Sequence, residues 1–277
     1  MPFLSTVTGS FKAGRRASAF SSTPWSPAND ITPALWLDAS DTSNYSESLN
    51  ELTSITDKAG NFTVTLDGTP TVVSSSLNSL NVWDFNGNES LITNSGPWSS
   101  SGNHWAIGVF QWHSTDSTKD SFWSADGSKT YAVSSSRNDN AWDGEIDYDG
   151  SNSISSGIAK NDFTVSINSS TWTIVSIVFN KTGNQIFGRL NGTLRTDVDP
   201  YSSSMNTNSN DVRMMRNRSN QKLNGRMAEY FHVAGAPGTG STDITDVEKA
   251  EGYIAHKWGL ESNLPVSHPY KSSAPTA

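Results

Sequence analysis

The chain has 277 residues, with 19 Lys and Arg against 27 Asp and Glu, a formal net charge of −8. That balance excludes a broad nucleic-acid-binding surface, which needs concentrated basic charge. The lack of cysteine excludes a disulfide scaffold, thiolate zinc sites and a cysteine nucleophile. No apolar run reaches the roughly 18 residues of a membrane-spanning helix; the longest core-like stretch is Trp172–Phe179. Hydrophobic residues make up only 34%, but ten Trp, eleven Phe and seven Tyr supply large buried areas.

Residues 1–23 stand apart. Their only charged residues are Lys12, Arg15 and Arg16, set among glycine, alanine and serine, and no apolar segment follows Arg15-Arg16 as an export signal would require. This segment is +3, leaving −11 for residues 24–277. It reads either as a frayed terminus or as a basic docking arm that orders on a partner through Lys12, Arg15 and Arg16.

From Pro33 onward short apolar or alternating segments lie between Gly, Asn, Asp and Ser clusters, which is the pattern of strands and turns. Expected strands are 34–37, 62–66, 81–85, 105–112, 121–124, 130–134, 163–167, 172–179, 185–190, 212–215 and 226–233. Asn191-Gly192 predicts a two-residue hairpin turn, and Asp67-Gly68, Asn86-Gly87, Asp126-Gly127 and Asp149-Gly150 predict further turns. Many short strands with no helices between them predict an all-β fold, a sandwich of two antiparallel sheets forming one domain over 24–277. One helix is expected, at 245–258, packed flat on the sandwich. Thr245 and Glu248 fit a capping box, Val247, Ala250, Ile254 and Trp258 recur at helical spacing, and Gly259 is the stop.

Two patches carry a resemblance. The first is Ala34-Leu-Trp-Leu-Asp-Ala-Ser-Asp41 with Ile55-Thr-Asp-Lys-Ala-Gly-Asn61 and Val82-Trp-Asp-Phe-Asn-Gly87. The second is Gly225-Arg-Met-Ala-Glu-Tyr-Phe-His-Val233, then Val247-Glu-Lys-Ala-Glu-Gly-Tyr-Ile-Ala-His-Lys-Trp-Gly-Leu260 and Leu264-Pro-Val-Ser-His-Pro-Tyr270. Together they resemble the laminin-G-like, concanavalin A-like jelly-roll modules of bacterial exoproteins and tailed-phage virion proteins. The resemblance implies a jelly-roll sandwich and fixes function only loosely, because function lives in sites rather than in the sandwich. Ile55 and Ala59 depart from the family's usual Trp and Ser in its Trp-x-Asp-x-Ser-Gly turn.

Several constellations could carry chemistry. Glu145-Ile-Asp147-Tyr-Asp149 looks like the Glu-x-Asp-x-Glu strand of jelly-roll β-glucanases, with Glu145 as nucleophile, yet it runs into Gly150 in a turn and reads more simply as an acidic strand end. The five histidines, His104, His113, His232, His256 and His268, form no zinc or triad signature. No cofactor is expected. Asp38 and Asp41, with Asp57, Asn61 or Asp84, are oxygen ligands suited to a structural calcium, although aspartates in turns more often serve the turn. Arg213, Arg216 and Arg218, with Lys222 and Arg226 nearby, are either a solvated strand or an interface with an acidic neighbour. Among the aromatics Trp98, in a Gly-Pro loop, is the candidate sugar-stacking side chain; Trp105 and Trp112 should face opposite sides of one strand, and core is the default for both.

These observations favour a non-enzymatic phage structural protein on the virion surface, a capsid decoration or tail component attached to other virion proteins through its arm. The alternative is an extracellular glycan-binding adhesion module with a cell-surface glycan as partner; a β-glucan hydrolase ranks last. A homo-oligomer is compatible with the first reading.

Overall fold

The computed structural model describes residues 23–97, 102–113, 120–125, 132–135, 141–142, 165–166, 170–194, 211–216, 222–240 and 242–277. A short helical turn, α1 (Pro27–Asp30), precedes β1 (Leu35–Asp38), β2 (Tyr45–Ser48), β3 (Glu51–Ile55), β4 (Val64–Asp67), β5 (Thr71–Leu77), β6 (Leu80–Asn86), β7 (Ser90–Thr93) and β8 (His104–Trp112). Next come β9 (Asp120–Ala125), β10 (Ala132–Ser135), β11 (Ala141–Trp142), β12 (Val165–Ser166), β13 (Trp172–Asn180), β14 (Gln185–Leu190), β15 (Thr193–Leu194), β16 (Val212–Met214) and β17 (Asn224–Val233). Helix α2 (Thr245–Trp258) and a 3-10 turn (Glu261–Asn263) follow.

The fold is an all-β sandwich of two antiparallel sheets with the helix packed on it. The large sheet runs β15-β14-β13-β8-β17-β6-β5-β3-β2, and β1 also pairs with β17. Along one side β17 meets β8; along the other it meets β6 opposite Met227 and then β1 opposite Glu229. The small sheet runs β10-β9-β16-β7-β4, and β11 pairs with β12 apart from both.

The large sheet is covered on both faces, which explains why β8 and β13 read as nearly unbroken apolar runs. From β8, Ala106, Phe110 and Trp112 enter the cluster facing the small sheet, while Trp105, Ile107 and Val109 enter the cluster facing α2. Trp105 and Trp112 thus do face opposite ways, and both are buried. β13 alternates likewise, with Val175, Ile177 and Phe179 on the first side and Ile174 and Val178 on the second. Gly108 has a packing reason: a Cβ there would lie 2.4 Å from the Phe110 ring.

The register of β17 shifts between Met227 and Glu229, a β-bulge at Ala228. Strict alternation from Met227 would send Glu229 into the sandwich core. The extra residue turns it to the helix side, where its carboxylate accepts hydrogen bonds from Trp36 Nε1 (2.8 Å), Trp258 Nε1 (2.7 Å) and Lys257 Nζ (2.8 Å). Lys257 also bridges to Asp38 at 2.9 Å. A second buried group fastens the middle of the helix: Glu251 accepts from Arg189 Nε (2.8 Å) and Ser176 Oγ (2.9 Å), and His268 Nε2 lies 3.1 Å away.

Helix α2 starts differently from the expected capping box. Thr245 is the first helical residue and Ile244 precedes it without a side-chain cap. Asp243 does the bonding, accepting from Thr245 N and Oγ1 with one oxygen and from Thr239 N and Oγ1 with the other. An aspartate two residues ahead reaches the first turn better than a threonine already inside it. At the other end Gly259 adopts the left-handed conformation, φ 68°, as the stop. The Asn191-Gly192 hairpin joins β14 to β15 with φ of 49° and 74°, the two positive values its turn type needs.

Five strands, β2, β3, β5, β7 and the two-residue β11, were not evident from the sequence. Tyr-Ser-Glu-Ser and Thr-Val-Val-Ser-Ser-Ser-Leu are rich in Ser and Thr because β2 is a sheet edge and β5 lies near it, each with much of its surface in water.

Two consequences can be measured. Lys257→Met leaves the buried Glu229 and Asp38 carboxylates without their shared cation, and should lower unfolding free energy in urea titrations by about 3–5 kcal/mol. Inside the sandwich, the buried His104 and His232 rings stack at 5.2 Å between centroids. Burial pulls His232 down to about 3; burial, aided by the charge His232 would carry, holds His104 well below the ordinary histidine value. The unfolded chain takes up these protons near pH 6.5, so between about pH 6.5 and 3 it binds more protons than the fold, and stability falls as pH drops. Melting temperature should decline steadily on acidification through that window, and His104→Phe/His232→Phe should flatten the decline.

Candidate functional site

Three polar clusters have chemistry worth weighing, and each is set by strand register. The first holds the proposed calcium oxygens. Asp38 is 2% exposed and lies 3.1 Å from Lys58 and 2.9 Å from Lys257. Burial works against its charge, but Lys257, Ser40 and Lys58 outweigh that and hold its carboxyl below the usual carboxylate range. Lys58 also contacts Asp41 at 2.8 Å and sits 4.2 Å above the Trp36 ring. Asp57 spends its oxygens on the backbone N–H groups of Trp36, Ala59, Asn61 and Phe62, and Asn61 donates to the Ala34 carbonyl. Ammonium groups and backbone donors thus engage the carboxylates of Asp38, Asp41 and Asp57. Among the described residues no group of three or more His, Asp or Glu gathers to hold a metal.

Burial drives the Glu229 carboxyl up while Lys257 pulls it back. A raised and a lowered carboxyl bridged by one lysine is the pattern of an acid and base pair. Glu229, however, is fully buried and saturated by two indoles and an ammonium, so the cluster acts as a clamp between β1, β17 and α2.

The second cluster lies on the small sheet. Arg213 contacts Asp211 at 3.2 Å, and Arg216 and Lys222 both contact Asp67, at 2.7 and 2.9 Å. Burial opposes the Asp67 charge, yet Lys222, Ser90 and Arg216 keep its carboxyl low. Arg213 and Arg216 are therefore tied into intramolecular pairs, with side chains only 12% and 11% exposed. Strand β7 of this sheet leads into the loop that carries Trp98. Trp98 itself lies outside the described residues, as do Lys12, Arg15, Arg16, Glu145 and Arg218.

The third cluster was not anticipated. On the helix-bearing face of the large sheet, β6, β8 and β17 pass from apolar to polar at the same level, and β13 ends there on an indole. β8 presents Trp105, Ile107 and Val109 beneath α2, then Gln111, with His113 just beyond; β6 presents Val82, then Asp84 and Asn86. β17 presents Phe231 and Ala228, then Arg226; β13 presents Val178 and Ile174, then Trp172, which is half-buried and packs against the same apolar cluster. Register aligns these ends into one cross-strand row, Glu51–Thr71–Asp84–Arg226–Gln111–Trp172.

The row is wired across strands and partly open to solvent at Asp84, Arg226 and Trp172, while Gln111 between them is buried, 8% exposed. Arg226 Nε donates to Asp84 at 3.1 Å, and His113 Nδ1 lies 3.7 Å from the other Asp84 oxygen. His113 Nε2 is 3.3 Å from Gln111 Oε1, and Gln111 Nε2 donates to the Ser170 carbonyl at 2.7 Å. Side chains of Asp84, Arg226 and His113 are 25%, 27% and 27% exposed, and Trp172 is half-buried. Among the described residues only one of the five Arg226 N–H donors is engaged. The turn after α2 borders the row, with Asn263 Nδ2 donating to the Trp172 carbonyl at 3.0 Å. Chemically it is an aromatic face at one end of a line of planar donors and acceptors.

The other histidines serve packing. His104 opens β8 inside the core, His256 Nε2 lies 2.9 Å from the Tyr270 carbonyl, and His268 belongs to the Glu251 group. The third cluster's signal was present as a change of polarity within period two, Trp105-x-Ile-x-Val-x-Gln111-x-His113. It becomes a site only when the registers of neighbouring strands are known.

Neither a protein family model nor a curated protein sequence matches this chain. Solved structures match at the level of fold. Domain 4 of AbnA, an extracellular GH43 arabinanase from Geobacillus stearothermophilus, solved with arabinotriose, is 15% identical with TM-score 0.55, over 78% of this chain and 98% of that one. The binding domain of botulinum neurotoxin DC in complex with SialylT is 13% identical with TM-score 0.53, over 79% of this chain and 51% of that one. The binding domain of paraclostridial mosquitocidal protein 1 is 12% identical with TM-score 0.50, over 75% and 51%. The chain thus spans about half the length of the two toxin binding domains. At these identities the likeness shows the fold.

The Asp84–Arg226 pair is partly solvated, with side chains 25% and 27% exposed, and contributes little to folding. Asp84→Asn should shift the thermal midpoint by no more than about 2 °C, the equivalent of roughly 0.5 kcal/mol, as read by tryptophan fluorescence.

Proposed function

We propose that this chain is a non-enzymatic glycan-binding module whose contact surface is the Asp84–Arg226–Gln111–Trp172 row. The observation that carries the reading is the row itself: a half-buried indole and a line of planar hydrogen-bonding side chains, wired in place on a rigid sheet and left uncovered by the helix. Sugars present both apolar C–H faces and hydroxyl edges, so a site needs an aromatic platform beside fixed donors and acceptors. Two structural neighbours, solved with arabinotriose and with SialylT, support a binding role for such a sandwich. Catalysis through Glu145 forms no part of this reading.

A second reading concerns the setting. The +3 segment ahead of a −11 body, and the resemblance of the terminal run to laminin-G-like modules of tailed-phage virion proteins, support display on a virion surface. In that setting Lys12, Arg15 and Arg16 dock on an acidic capsid or tail protein. Thr23 already belongs to the body, because its carbonyl accepts the Ala277 N–H at 3.0 Å. Deleting residues 1–22 should abolish incorporation into particles and leave glycan binding and melting temperature unchanged; normal incorporation of the truncated chain would end the docking reading.

For the binding role itself, the full chain should bind a subset of a broad glycan array, and Trp172→Ala should lose that signal while Arg213→Ala retains it. Silence across the array would defeat the proposal.

A further inference from the structure

The charge and extent of the row point to its ligand, given the glycan-binding reading on which this inference rests. Arg226 is the cation of the row, and it is already paired with Asp84 at 3.1 Å. Glu51, exposed, adds a negative charge at the β3 end. Just beyond Asp84 on the same strand, Asn86 holds the Glu89 carboxylate through its backbone N–H and its side-chain amide, both at 2.9 Å. Lys222 is turned away, onto Asp67 and the Asn88 carbonyl. His113 lies between Asp84 and Gln111. Among the described residues, carboxylates therefore outnumber guanidinium and ammonium groups along the strip. An acidic sugar would bring its own carboxylate toward Asp84 and Glu51 with no unpaired cation among the described residues to meet it.

The remaining hydrogen-bonding capacity suits hydroxyls. Each Asp84 oxygen can accept a further O–H, and among the described residues the Arg226 donors other than Nε have no hydrogen-bond partner, so adjacent hydroxyls of one sugar can bridge acceptor and donor. Trp172 lies three strands away, through β17 and β8, which at about 4.8 Å per strand is roughly 14 Å. One sugar ring cannot touch both ends. We infer that the row binds an internal stretch of a neutral oligosaccharide laid across the strands, one ring stacked on Trp172 and another hydrogen-bonded to Asp84 and Arg226.

Calorimetry on the full chain tests this with neutral pentose and hexose mono-, di- and trisaccharides and with sialylated and uronic-acid trisaccharides, each at low and high salt. The expected result is binding of a neutral trisaccharide at least tenfold tighter than its monosaccharide, unchanged by salt because no ion pair forms. Trp172→Ala and Asp84→Asn should each weaken it tenfold or more. Since Trp172→Ala could disturb packing, Asp84→Asn is the decisive variant, with its melting curve as the control. Binding only of acidic sugars, weakened by salt, would overturn this inference and leave the glycan-binding reading intact. Neutral binding that ignores both substitutions, or that is equally tight for monosaccharides, would also overturn it. No binding of any sugar would remove both.

Discussion

The arrangement depends on one buried carboxylate. Glu229 lies on the longest strand and receives hydrogen bonds from an indole of β1, an indole of α2 and the ammonium of Lys257. A charge in that position is tolerable only when every oxygen is satisfied, so the three elements must meet in one geometry. The bulge at Ala228 makes this reachable. It also leaves Arg226 and Glu229, three residues apart, on the same face, where regular pleating would have opposed them. One extra residue therefore sets both the clamp that holds the helix and the side chain at the centre of the polar row.

The helix also limits what the sheet can offer. Val247, Ala250, Ile254 and Trp258 cover the apolar part of the large sheet, and Glu251 holds the helix to β13 and β14 through Ser176 and Arg189. Gly259 ends it, and the chain turns through Glu261–Asn263 to bond the Trp172 carbonyl. The strands change from apolar to polar where this cover stops. The uncovered row is thus the complement of the helix: the same alternation that puts Val109 beneath α2 brings the buried Gln111 to the edge of the cover, beside the part-exposed Arg226 and Asp84.

The sandwich and its helix were legible because both rest on local periodicity and local stop signals. Trp105 and Trp112 could be assigned to opposite faces by counting, and Gly259 could be read as a terminus. The polar strands β2, β3, β5 and β7 were hidden because their stability comes from neighbours rather than from apolar content. Asp38, Asp41 and Asp57 have the composition of a cation site, yet their partners are Lys58, Lys257 and backbone N–H groups, and composition cannot show which donor arrives first. The Asp84 row was harder still. Its members come from sequence positions as distant as Glu51 and Arg226, each unremarkable within its own strand, and only pairing makes them neighbours.

The two ends of the body are stitched together. Pro24 pairs with Thr276, Trp25 N donates to the Pro275 carbonyl, Ala277 N donates to Thr23, and the Trp25 ring rests 5.6 Å from that of Tyr253 on the helix. A tether at either end would therefore hold the body at the same spot, and its orientation would not depend on which end was used. Force drawn through both ends would open this short antiparallel seam one bond at a time before reaching the sheets. The seam then acts as a mechanical fuse, yielding first and leaving the sandwich intact.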